Sequence, residues 1–207
     1  MVVAVALAQA QSPADLKVLN GVLATVLKAS SDPVGELTPD VLARGETAAR
    51  ELLALDQPAG VSGPQWQAMR ASGYKVLGWV AIMHGEAVAA EDAFIQSLKL
   101  DPNDATISYE LARAMFIREN RDKQSLAIYH LARAAVLDEP GALPAPQRAA
   151  ANSYLASTYL AYHGADPEGL EKLKALAKTQ AIPPSDFTIS FPERKTIAPQ
   201  AAKKLLR

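Results

Sequence analysis

"ASGYKVLGWVAIMHGEAVAAEDAFIQSLKLDPND", Ala71 to Asp104, decides how this chain folds. It holds two helical stretches. The first carries Val76, Leu77, Val80 and Met83 and ends near His84; the second starts at Gly85 and stops at Asp101-Pro102. Gly78 lies inside the first helix, where glycine costs up to about 1 kcal/mol against alanine, so its presence points to the close packing of another backbone. Ala90 offers the same small surface on the second helix. Phe94 is the bulky apolar residue of that second helix. Pro102 ends the helix and turns the chain, and Asp104 is placed to cap whatever helix follows.

Outward from this unit, Pro and Gly clusters cut the chain at helix-sized intervals, and almost nothing alternates with period two. Ser12-Pro13-Ala14-Asp15 has the cap, first-turn proline and acidic residue of a helix start, and that helix runs to about Ala29. Thr38-Pro39-Asp40 repeats the signal, for a helix to about Leu55. Pro64 opens the helix that ends near His84. Further helices are expected near Ala105–Arg118, Lys123–Leu137, Pro146–Tyr162 and Pro167–Thr179. The expectation is an all-α chain of about eight helices. Beyond Thr179 the text becomes Pro-rich, and Phe187, Ile189 and Phe191 alternate with Thr188 and Ser190, as an extended segment does. A last helical turn or two is read at Pro199–Arg207.

Composition narrows the function classes. Of 207 residues, 49 % are hydrophobic and 21 % charged, too apolar for a disordered chain. A formal charge of -1 supplies no field to recruit nucleic acid or an anionic membrane, and no apolar run reaches bilayer length. The absence of cysteine excludes disulfides, thiolate metal sites and cysteine nucleophiles. "MVVAVALAQAQS" at the start has a short apolar run followed by Ala8-Gln9-Ala10, the form of a signal-peptidase site without its basic leader. Residues 1–11 are therefore read as a truncated signal peptide, which implies a periplasmic or secreted protein; a frayed lead-in to the first helix, in a cytoplasmic protein, is the alternative.

Tyr74-x-x-Leu77-Gly78, Gly85, Ala90-x-x-x-Phe94 and Pro102 match the signature of the tetratricopeptide repeat at its offsets, within its length of about 34 residues. The unit resembles that family. Leu111-Ala112 recur one period after Leu77-Gly78. Ala127-x-x-x-Leu131 answer Ala90 and Phe94 a few residues late, the surplus lying in the turn "RENRDK", where insertion is cheap. A looser third hairpin spans Leu155-Ala156 and "DPEGLEKLKALAK". The C-terminal part also resembles bacterial repeat proteins of unassigned function, of a kind associated with acidobacteria. The resemblance implies a right-handed α-solenoid of antiparallel hairpins: repeats over 64–180, a non-repeat or degenerate hairpin over 12–63, and a tail over 181–207 that is extended or flexible.

In that family, ligands lie on the concave face lined by the first helix of each hairpin. Carried over by position, this implies Lys75, Trp79, Ile82 and Met83, then Tyr109, Arg113 and Phe116, then Ser153 and Ser157. Some members clamp a peptide carboxylate with a Lys–Asn pair; here Trp79 stands where the Asn belongs. The groove reads as aromatic and apolar with one or two cations, suited to an apolar peptide or an amphipathic helix. The competing reading buries Met83 and Phe116 against the adjacent hairpin and pairs Arg113 with Glu110 or Glu119 on a solvated face.

Catalytic signatures are missing: no nucleophile elbow, phosphate loop, dinucleotide fingerprint or zincin pattern. His84, His130 and His163 fall on separate helices. The sequence implies no cofactor or metal and no nucleic-acid partner. The leading expectation is a non-catalytic scaffold for a protein or peptide partner. A structural or self-associating protein capped by its own tail is the alternative, and a helical enzyme a distant third.

Overall fold

A computed structural model describes residues 13–31, 37–118, 121–138 and 140–190. The signal-peptide-like segment, Ser12, Glu119, Phe191 and the turn at Pro199–Arg207 lie outside the described residues. Within them the chain is all-helical: α1 (Pro13–Ser31), α2 (Pro39–Ala54), α3 (Gly63–Met83), α4 (Ala87–Leu100), α5 (Ala105–Ile117), α6 (Gln124–Val136), α7 (Ala145–His163) and α8 (Pro167–Thr179). A 3-10 turn at Arg121–Lys123 leads into α6.

Local chemistry sets the ends. Thr38 Oγ1 accepts from the Val41 amide at 3.3 Å and Asp104 Oδ1 from the Ile107 amide at 2.9 Å, so α2 and α5 start on side-chain caps. At α3 the Ser62 amide donates to Gln65 Oε1, the reciprocal half of a capping box. Gly85 closes α3. Its φ of 75° is left-handed, and the next amide, Glu86, reaches back to the Ala81 carbonyl at 2.8 Å.

Helices α1 to α7 pack chiefly on their neighbours in the chain, with α1 also on α3, whereas α8 packs on α6. The core is accordingly strung out in three overlapping clusters. One joins α1, α2 and α3 around Leu23, Leu52 and Val76. The second joins α3 to α6 around Phe94, Leu98 and Leu111. The third joins α5 to α8 around Ile128, Leu131, Leu155 and Leu173. Leu77 packs half-buried on the first cluster; Ala112, Ala127 and Leu131 are fully covered. Phe94 has no exposed surface and lies against Gly78, whose missing Cβ makes the room. Pro102 sits exposed in the α4–α5 turn.

Buried polar groups tie the clusters together. Arg133, 1 % exposed, donates Nη1 to the carbonyls of Ala177 and Gln180, both at 2.6 Å, and Nη2 to the Pro102 carbonyl. One guanidinium thus joins the end of α8 to the α4–α5 turn. Glu91, also buried, holds Arg118 and Lys123 on either side of the α5–α6 connection. After α8 the chain doubles back along α6. Phe187 packs edge-on against Tyr129 with ring centroids 5.0 Å apart, Ile189 is buried, and the Ile189 amide donates to Ser125 Oγ at 3.1 Å.

Candidate functional site

Lys75 and Trp79, placed on the groove by position, are both turned partly inward. Lys75 Nζ lies 2.6 Å from Asp104 Oδ2 and 3.0 Å from Asp101 Oδ2. Burial works against the ammonium, but these carboxylates, Asp104 foremost, outweigh it and hold the lysine pKa above its usual value. Its charge is thereby committed to joining α3 with the α4–α5 turn. Trp79 is half-buried and meets Phe94 edge-on, centroids 6.4 Å apart. Ile82 packs on the same cluster. Met83 is 51 % exposed at the end of α3, so burial against the next hairpin, the competing reading for it, does not occur.

On α5, Tyr109 is half-buried against the C-terminal core. Arg113 Nη1 pairs with Glu110 Oε2 at 2.7 Å. Glu110 is itself buried, and loss of solvent raises its carboxyl pKa against the pull of Arg113. Ser153 and Ser157 are exposed on α7. None of these residues lines the cleft at Phe116.

Phe116 forms one wall of a cleft of about 540 Å³ with Gln124 and Ile128 from α6 and Tyr154, Thr158, Ala161 and Tyr162 from α7. The rings of Phe116 and Tyr154 meet edge-on, centroids 6.0 Å apart. Ile128 is fully buried at the floor, whereas Tyr154 is 46 % exposed. Among the described residues, no carboxylate, ammonium, guanidinium or imidazole lines the cleft, so this lining favours uncharged surface. Phe116 alone among the expected groove residues is in this lining. Tyr154, Thr158 and Tyr162 were missed, although their spacing of one turn each puts them on one helix face, and that spacing was visible in the sequence.

The histidines do not gather. His84 is exposed at the end of α3. His130 is buried on α6, where desolvation first and the nearby Arg133 second push its pKa down to about 3. His163 closes α7, with Nε2 3.1 Å from Asp166 Oδ2 and Nδ1 against the Ser190 carbonyl oxygen. Asp166 in turn caps α8 by accepting from the Gly169 amide at 2.9 Å. That bond lowers its pKa, with His163 contributing to the same effect. Among the described residues, no group of three His, Asp or Glu side chains is placed to hold a metal ion. No helix there is long and apolar enough to cross a membrane.

The chain matches no protein-family model, no curated protein and no solved structure.

Proposed function

We propose that this chain is a non-catalytic interaction scaffold of the tetratricopeptide type, a right-handed solenoid of helix hairpins that binds an apolar peptide or one face of an amphipathic helix. The observation that carries the reading is the uncharged, aromatic-walled cleft of Phe116, Tyr154 and Tyr162. Aromatic side chains that are part exposed over a buried aliphatic floor give large contact area at little entropic cost, which is the composition of a peptide-binding hot spot. The solenoid reading is supported by the seating of Phe94 on Gly78 and by a core strung along neighbouring helices. The partner's contact surface is uncharged and apolar, with its charges outside the cleft.

Selection from a random peptide library, followed by calorimetry on the enriched peptides, tests this. Thr158→Arg places a charge in the cleft, and Tyr154→Ser removes an exposed wall. Each should weaken the enriched peptides at least tenfold while leaving the melting temperature within a few degrees. Undiminished binding by both variants rejects the cleft as the site.

A second reading, a structural protein closed by its own tail, is favoured by one observation: Phe187 and Ile189 dock on α6. On that reading Ile189→Asp lowers solubility and the melting temperature together.

A further inference from the structure

A second groove lies at the other side of α7 and meets the cleft above at Ser125, whose Oγ lies 3.4 Å from Tyr162 Oη. α7 and α8 both pack on α6 but barely on each other. The opening between them is occupied by residues 187–190 of the same chain. Their anchors are of two kinds. Backbone groups are held at two points: the Ile189 amide donates to Ser125 Oγ, and the Ser190 carbonyl oxygen meets His163. Side chains are held at alternate positions, Phe187 on Tyr129 and Ile189 in the core. The intervening Thr188 and the flanking Ser190 are exposed.

None of these anchors reads a polar side chain of the segment. They recognise an extended backbone with an aromatic and an aliphatic residue two positions apart, the form in which main-chain bonds give affinity and alternate pockets give selectivity. Nor does the segment fill the opening. A space of about 290 Å³ remains beside it, lined by Tyr159, Lys172, Leu173 and Leu176 among others. A short segment held by two apolar side chains and a few hydrogen bonds belongs to the part of a fold that opens without global unfolding.

We propose that the α7–α8 channel is a peptide-binding groove for extended segments of aromatic-x-aliphatic pattern, and that Phe187–Ser190 is its resident, displaceable occupant. A partner segment of this chemistry binds when the resident one leaves, so the chain carries a self-blocked second site.

The test uses the full chain with Phe187→Ser and Ile189→Ser, and a fluorescent peptide copying Pro183–Ser190. The vacated groove should bind that peptide saturably and at least tenfold more tightly than the wild-type chain does. A control peptide with serine at both apolar positions should not bind. A folded variant that ignores the peptide, or takes both peptides alike, overturns the proposal. So does a wild-type chain that dimerises with concentration and loses peptide binding as it does so, because the occupant is then a second copy. If the variant does not fold, hydrogen exchange on the wild type decides. The Ile189 amide should exchange at least a hundredfold faster than the amides at the middle of α6. Equal rates mean that the segment leaves only when the protein unfolds, which also overturns the proposal.

Discussion

Gly78 and Phe94 form a pair whose energetics can be worked out from their geometry. A methyl group on Gly78 would come within 2.8 Å of Phe94 Cζ and 2.5 Å of Cδ1, and closer still to Cε1. Real carbon contacts do not reach such distances, so the ring must move. It has nowhere to go, being fully buried with Trp79 edge-on beside it. Overpacking of this kind costs about 1–3 kcal/mol. Against that, alanine in mid-helix gains about 1 kcal/mol over glycine. Gly78→Ala in the wild-type background should therefore be neutral to destabilising by about 2 kcal/mol, the difference of those terms. In a Phe94→Leu background the ring edge is gone, and the same change should stabilise by up to about 1 kcal/mol. The four proteins make a double-mutant cycle with an expected coupling of about 1–3 kcal/mol. Urea unfolding followed by far-UV circular dichroism reads it as a midpoint shift on the order of 1 M. If Gly78→Ala has the same effect in both backgrounds, the glycine is not there to seat the ring, and the repeat argument built on it fails.

Arg133→Lys should cost about 3 kcal/mol in denaturant unfolding, because an ammonium cannot reach both the α8 carbonyls and Pro102, and a lost charged hydrogen bond is worth about 1.5–3 kcal/mol. His130 gives a pH dependence. Its folded pKa of about 3 lies below the ordinary 6.5, so the unfolded chain binds the extra proton and stability is lost as pH falls from about 6.5 towards 3. By pH 4 that loss is about 3 kcal/mol, and His130→Gln should remove most of it, measured as the difference in unfolding free energy between pH 7 and pH 4. Lys75→Met should lower stability by about 1–2 kcal/mol, since it strands Asp104, whose side chain is 17 % exposed. Because the lysine pKa is raised in the fold, its contribution is complete below pH 10.5 and is lost only above that, so the penalty should stay constant from pH 6 to 9.

The helices were legible because their start and stop signals are local. Thr38, Asp104 and Asp166 each cap the helix that follows. Proline stands in the first turn of α1, α2, α3, α7 and α8. The inward alternation of Phe187 and Ile189 was legible for the same reason, since strand geometry forces every second residue to one side. Electrostatic partners were not. Nothing around Lys75 announces Asp101 and Asp104, which lie in the turn between α4 and α5, and only packing brings them to it. The Phe116 cleft escaped for a related reason. Its walls belong to α5, α6 and α7 together, and the angle between those helices is set by side chains elsewhere.

Phe116 packs against two of the three core clusters at once, the one built on Phe94 and the one built on Leu155. A ligand seated on that ring would touch both clusters at once, so its occupancy would stabilise the cores on either side together and raise the melting temperature with ligand concentration.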